Sequence, residues 1–521
     1  MWKKKMPVFL ALLLVLSLSG CETLFPMPES QSSNAPVMEQ PPEKKPVKDT
    51  PLDFLGLAYY TEEPVSPVSS RSRINQLLLE ALYEGLFMLD DNFKPVPVLC
   101  GSWQGADLVW SFTLKNDLTF WSGEPVTAED VAASWQAAID DEDSPYHARF
   151  ADVENISAAG SQLTVTLISP NADLPSLLDV PICRAGTEND TFADGTGPYR
   201  PVQENGVWSL VCNENWHGGK VTAFQNIHLT ATARAETLSN SFETGDISLS
   251  RTERISPRSS ASVGATNVYR TRTTDFHYLG MNQDYGAFSL PVVRQAISLL
   301  IQRTSLCSAQ LQNYADPAYL PVNPQPAAES SGASPDPLEM LTNAGFADNN
   351  EDGILDYIPP PTRWYTPYWH EKFAPVILVN SDNAYKVAAA EAIAQTLQAA
   401  GIGASVNALP YDDFIWALQR GNFDLYYGET ALTPDFDIRP LVAKDGALNY
   451  GKFDDEEFEA ALNASRTMED KTSFYQQFSE TLPIIPLAFE RNQVVTRAGL
   501  LENFNPYPHQ IFAGVENWEA R

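Results

Sequence analysis

The sequence has little of what covalent chemistry or metal binding requires. There is no G-x-S-x-G elbow to carry a serine nucleophile and no G-x-x-x-x-G-K-[ST] loop to hold a nucleotide phosphate. Histidine is sparse: the six are His147, His217, His228, His277, His370 and His509, and no two have ligand spacing on a helix or strand. His370-Glu371 opens a zinc-protease motif, but Ala374 stands where the second histidine belongs. Five cysteines occur without a C-x-x-C pair, which excludes the usual structural zinc site and a dithiol redox motif. Basic residues are outnumbered, 34 Lys and Arg against 66 Asp and Glu, for a formal charge of -32. That balance excludes the basic face of a nucleic-acid binder and favours solubility. No apolar run after residue 18 is long enough to span a bilayer, and no internal repeat is evident. The chain is therefore suited to binding rather than to catalysis, and no cofactor is expected.

What is present is ample for folding. Hydrophobic residues make up 44% and aromatics 11% of the 521 residues. A chain of this length exceeds one ordinary core, so two or three domains are expected. Lys3-Lys4-Lys5 precede an apolar run from Met6 to Leu18, the pattern of a signal peptide. The run closes on Leu18-Ser19-Gly20-Cys21, a lipobox, so Cys21 is expected to carry lipid; an ordinary signal peptide with a chance cysteine is the alternative. Residues 22–50 hold Pro26, Pro28, Pro36, Pro41, Pro42 and Pro46 among Ser, Glu, Gln and Lys, a disordered tether too polar to bury a core. The expected location is extracytoplasmic, with membrane attachment through lipid alone. Of the remaining cysteines, Cys183 and Cys212 are the expected disulfide; free buried thiols are the alternative.

The best-specified stretch is residues 109–139. Trp110, Phe112 and Leu114 alternate with polar neighbours as in a half-buried strand, and residues 118–121 read as a second short strand. Thr127 and Asp130 form a capping pair before Val131, Ala132, Trp135 and Ile139 on one helical face. Elsewhere the pattern predicts a strand over 52–60 and helices over 74–89 and 291–306. It also predicts a β-α-β-α-β run through 376–379, 384–400, 406–409, 412–420 and 423–427, which implies a mostly parallel sheet.

The order FTLKNDLTFWSGEPVTAEDVAASW resembles the signature of family 5 of the extracellular solute-binding proteins, the peptide- and nickel-type receptors of ABC importers. Residues 83–103 (YEGLFMLDDNFKPVPVLCGSW), Gly195-Thr196-Gly197-Pro198-Tyr199, Tyr278-Leu279-Gly280-Met281-Asn282 and the LPIIPL of 482–487 agree with it. The resemblance runs from about residue 52 to about 500. It implies an α/β, two-lobed periplasmic-binding-protein-like fold (type II, cluster C-like) with an extra subdomain in the first lobe. The implied division is signal peptide 1–21, tether 22–50, lobe I from 51–88, 190–275 and 478–521, the extra subdomain 89–189, and lobe II 276–477. The implied function is a lipid-anchored receptor of an ABC importer that captures a peptide or peptide-like solute between closing lobes. Its implied partners are an ABC permease and ATPase, with no nucleic acid. A sensor of the same fold without a transport role is the alternative.

Candidate ligand residues follow from both kinds of reading. In the family's dipeptide receptors an Asp four residues after a strand-end glycine meets the peptide amine, and an Arg at the end of an earlier strand clamps the carboxylate. Here the first position is Leu432, after Gly428, and the second is Val379 or Asn380, so the usual dipeptide pose is not expected. Arg363, Trp364, Tyr365 and Trp369 cluster in a Pro-rich loop and either line the cleft or seal a surface. Tyr59, Tyr60, Trp416 and Tyr427 are further aromatic candidates, and Asp435 and Asp437 are candidates for meeting a cation or amine. Asp348, Asn350, Asp352 and Asp356 have the early spacing of a calcium hand, with Gly353 at position six. Position twelve is Pro359 rather than Glu, so a solvated turn is expected there and calcium is the alternative.

Overall fold

The computed structural model describes residues 54–188, 190–232, 238–252, 266–326, 335–361 and 366–520. Cys21, the tether, Arg363, Trp364 and Tyr365 lie outside them. The described residues gather around three main hydrophobic cores, and each core corresponds to one sheet.

In lobe I, strand β1 (Leu55–Tyr60) runs parallel to β10 (Asn226–Thr232), which continues antiparallel to β9 (Val207–Cys212) and β8 (Tyr199–Glu204). The helix Arg73–Leu82 buries Leu77, Leu78, Ala81 and Leu82 against this sheet. The C-terminal segment closes the same core with Phe504, Ile511, Phe512 and Trp518, so distant parts of the chain share one interior.

Beside it stands a side subdomain. Hairpin β2 (Phe87–Leu89) and β3 (Pro95–Pro97) leads into an antiparallel sheet of order β4-β5-β7-β6. Its strands are β4 (Cys100–Ala106), β5 (Val109–Leu114), β6 (Val153–Ala159) and β7 (Gln162–Leu167). The helix Ala128–Asp140 lays a fully buried Trp135 on it. The capping pair forms in both directions: Asp130 N–H donates to the Thr127 hydroxyl at 3.4 Å, and Thr127 N–H donates to the Asp130 carboxylate at 2.9 Å. Residues 118–121 contribute only a bridge between Thr119 and Pro125, because the turn chemistry on either side leaves too few residues for a ladder.

One sheet runs through both lobes. Strands β12 (Thr266–Met281) and β19 (Ile485–Arg497) pair antiparallel along most of their length. At about 3.3 Å per residue, the 16 residues of β12 reach roughly 50 Å. At one end β11 (Leu249–Thr252) joins β19 beside lobe I. At the other, β13 (Ala315–Pro317) joins β19, and a hairpin of β14 (Asp356–Tyr357) and β15 (Glu371–Lys372) lies nearby in sequence. There β16 (Val376–Asn380), β17 (Ser405–Leu409) and β18 (Leu425–Ala431) form the parallel part of lobe II, with β18 paired to β12. Helices Ala384–Ala399 and Tyr411–Arg420 make the expected crossovers, and β20 (Leu501–Glu502) pairs with β21 (Glu519–Ala520) at the end of the chain. No described helix is long and apolar enough to cross a membrane.

Three expectations are corrected. The helix predicted over 74–89 ends at Leu82, where Tyr83 turns extended and its hydroxyl is tied to Ala193 O at 3.0 Å. The helix predicted over 291–306 ends at Leu300 and restarts as two short turns. Cys183 and Cys212 are not bridged: both are free thiols, as are Cys100 and Cys307. Cys183 is buried next to the Ser134 hydroxyl, while Cys212 donates to Phe224 O at 3.3 Å on the lobe I sheet. Both touch the lobe I core, Cys183 inside it and Cys212 at its edge, each with its own hydrogen-bond partner.

Candidate functional site

A cavity of about 770 Å³ opens between the lobes. Its floor comes from a break in the crossover ladder. The register of β12 on β19 shifts between Arg272 and Phe276, and Thr273, Thr274 and Asp275, where the β19 ladder is interrupted, all line the cavity. Leu432, Thr433 and Pro434, leaving β18, form the lobe II wall.

The lobe I wall is built around a helix end. Gly197 N–H donates to Leu82 O at 3.0 Å, supplying a partner for one of the helix's last carbonyls. A Cβ at Gly197 would lie 2.6 Å from Leu82 C, so the glycine permits this approach. The chain then turns at Gly85, where a Cβ would fall 2.8 Å from the backbone of Asp179. Between these two contacts Glu84 lines the cavity, nearly buried. Trp216 Nε1–H donates to Glu84 Oε1 at 2.9 Å, and His217 Nε2 lies 3.0 Å from Oε2. Both carboxylate oxygens are thus held in place.

Other charges in the wall are paired as well. Arg251 bonds Glu80, whose second oxygen accepts from Ile511 N–H at 2.6 Å, and Arg149 pairs with Asp179. His509 Nε2 is buried without a hydrogen-bond partner. Burial, reinforced by the Arg149 and Arg251 charges, pushes its imidazole down to about 3, so the ring is neutral at ordinary pH. The cavity lining holds five basic and six acidic side chains, close to balance in a chain whose net charge is -32.

Residues 94–444 match the family model for bacterial extracellular solute-binding proteins, family 5. The chain belongs to that family. Family 5 solute-binding proteins are non-enzymatic binding proteins that work with an ABC permease and an ATPase. The chain is 20% identical over 482 residues to the oligopeptide-binding protein AppA of Bacillus subtilis, covering 84% of this chain and 86% of that one. It is 27% identical over 282 residues to the nickel-binding periplasmic protein of Escherichia coli, covering 48% and 52%. Among solved structures, a nickel ABC transporter protein from Bacillus halodurans superposes with a TM-score of 0.69 at 20% identity, over 88% of this chain and 97% of that one. The two-lobed α/β fold is that of these neighbours.

Within this family 5 fold, the residues singled out by sequence fall largely outside the cavity. Tyr59 packs on Phe192, and Tyr60 N–H donates to Asn75, both within lobe I. Trp416 is 52% exposed beneath Arg420, whose guanidinium lies 4.2 Å from the ring centroid. Trp369 Nε1–H donates to Glu371 at 2.9 Å on the surface. Asp435 accepts from Asn171 at 2.9 Å, and Asp437 pairs with Arg439 at 2.6 Å, so protein groups already meet both. Asn380 accepts from Asp382 N–H in its own loop, whereas Leu432 does face the cleft.

The acidic loop folds onto itself. Asp348 accepts from Asp352 and Gly353 N–H, Asn350 from Asp352 N–H, and Lys372 Nζ sits 2.5 Å from Asp352. Asp356 is buried and accepts from Asn349 N–H. The loop is a turn with its own lysine counter-ion. Tyr427 is also internal: its hydroxyl lies 2.8 Å from His277 Nδ1, and His277 Nε2 lies 2.8 Å from Glu490 Oε1. Glu429 completes a group whose ligand-type atoms lie within 4.8 Å of one another, but it is ion-paired with Lys386. An ammonium already supplies positive charge there.

Sequence reading missed Glu84, Trp216, His217 and His509. The available signal was residues 213–219, where a tryptophan and a histidine stand among turn residues.

Proposed function

We propose that the protein is a lipid-anchored, extracytoplasmic receptor that captures a small zwitterionic peptide or peptide-like solute and delivers it to an ABC permease. The carrying observation is the interlobe cavity with charges of both signs in near balance. A solute with no net charge matches a lining of near-zero net charge, whereas a strongly anionic or cationic one does not. At about 30 Å³ per water the cavity volume equals roughly 25 waters, which suits a short peptide within the usual ~300–1,000 Å³ range of small-ligand sites. The oligopeptide-binding name of the Bacillus subtilis relative supports the same class. Cys21 is the proposed lipid attachment point, supported by the run before it and the tether after it.

A thermal-shift panel tests the solute class. At 100 times its dissociation constant, a ligand adds roughly 2.7 kcal/mol of stability. Free di- and tripeptides are expected to raise the melting temperature, and versions blocked at both termini are not. Equal effects of free and blocked peptides would overturn the zwitterion assignment. Lipidation is tested separately by labelled-lipid incorporation, which Cys21→Ala should abolish.

A second reading, a small metal chelate, is supported by the nickel-binding name of the Escherichia coli relative and by the neutral His509 ring among the lining residues. Calorimetric titration with nickel–histidine distinguishes it from the first.

A further inference from the structure

The side subdomain and lobe II are joined by a cluster of charges away from the solute wall. Asp152, just before β6, accepts from Arg439 Nη1 at 3.1 Å and Nη2 at 2.5 Å, and from Arg466 Nη2 at 2.5 Å. Arg466 Nη1 also donates to the Ser169 hydroxyl at 2.8 Å. A second pair, Lys471 with Asp173 at 2.7 Å, lies alongside. The backbone takes part too: Ala172 N–H donates to Arg466 O at 2.8 Å. In every contact one partner belongs to the side subdomain and the other to lobe II.

These charges are partly withdrawn from water. The Arg466 side chain is 7% exposed and that of Asp152 is 18% exposed. Burial opposes the Asp152 charge, but Arg439, Arg466 and Ser169 outweigh it and hold the carboxyl below its usual range.

An independent observation marks the same junction. Phe93 of the β2–β3 turn meets Phe436 of lobe II edge to face, with centroids 5.2 Å apart. Both have left-handed backbones, φ 58° for Phe93 and 57° for Phe436. A bulky residue adopts that conformation only where its surroundings compensate. Here two such residues are spent on one interlobe contact.

We propose that Asp152, Arg439 and Arg466, with the Phe93–Phe436 contact, form a latch that sets the balance between open and closed lobes. Solute affinity is then governed partly by residues that never touch the solute, because a ligand of the closed form is bound in proportion to the closed population. The latch presupposes the two-lobed receptor proposed above but not its solute.

Hydrogen exchange on the purified, solute-free protein tests it. The Ala172 amide is protected only while its bond to Arg466 O is made, so its exchange rate reports opening. Asp152→Asn is expected to speed that exchange by ~10-fold or more, leaving the amides of the lobe cores unchanged. Raising salt from ~0.01 M to ~1 M shortens the screening length from ~30 Å to ~3 Å and is expected to speed it in the unaltered protein by less than the substitution does, because partly buried pairs are screened less. Asp173→Asn, in the more exposed pair, provides a second variant should Asp152→Asn not fold. Small-angle scattering is expected to show a larger radius of gyration where exchange is faster. Unchanged Ala172 exchange in the folded variants and at both salts would overturn the latch. That result would leave solute binding, which the thermal-shift panel measures, untouched.

Discussion

Replacing Glu84 with leucine tests how the cleft wall is held. The carboxylate accepts from Trp216 Nε1–H at 2.9 Å and lies 3.0 Å from His217 Nε2, with its side chain 7% exposed. Leucine is similar in size but accepts nothing. The half-buried indole N–H would then lose its acceptor, at about 1–3 kcal/mol, whereas the more exposed His217 ring can turn to water. For the body of the chain, Thr50–Arg521, an unfolding entropy of roughly 2.1 cal/mol/K per residue gives about 1 kcal/mol/K. If the body unfolds as one unit, the melting temperature should fall by about 1–3 °C. Glu84→Gln keeps the shape and an acceptor, and should cost about 1 kcal/mol. Calorimetry of the three proteins, with urea unfolding as a second measure, provides the comparison. If Glu84→Leu stays within about 0.5 kcal/mol of the parent, the carboxylate does not hold the wall and the reasoning fails.

Four thiols, Cys100, Cys183, Cys212 and Cys307, should titrate after denaturation of protein lacking the signal segment, and a reductant should leave its melting temperature unchanged. In the native protein Cys183 and Cys307 should react slowly with thiol reagents, because burial pushes both thiols up to about 12. Thr127→Ala should cost about 1 kcal/mol in unfolding experiments by removing one side of the capping pair. His509 gives a pH signature. The folded ring resists a proton until about 3, whereas the unfolded ring takes one up near 6.5. The unfolded state thus holds the extra proton between these values, and stability should fall as pH drops through that window, by at most about 1.4 kcal/mol per pH unit. His509→Phe should flatten that slope in denaturation curves taken at several pH values.

Local features were legible in the sequence because they are made by neighbours. Thr127 and Asp130 stand three residues apart, and the capping pair is there. The helix read over 384–400 forms as Ala384–Ala399, with Gly401, at φ 78°, just past its end. The β-α-β-α-β order of lobe II was readable for the same reason. The cavity was not, since Glu84, Trp216, Asp275, Thr433 and His509 meet only through tertiary packing. Chemical type alone then misled. Tyr427 looked like a cleft aromatic but is the hydrogen-bond partner of a buried histidine. Asp435 and Asp437 looked like amine binders, yet Arg439, two residues after Asp437, is the latter's partner. Gly197 shows a middle case. The Gly195–Tyr199 run stood out through the family resemblance, but its purpose, to close on Leu82 beside Glu84, needs the fold.

The central claim is that a small solute is captured between the lobes. Native mass spectrometry of the protein with free di- and tripeptides, beside a Thr433→Trp variant that fills the cavity, tests it most directly. One solute per protein is expected in the parent, and none in the folded variant. Equal binding by both proteins, or no binding by the parent across the panel, would contradict the account.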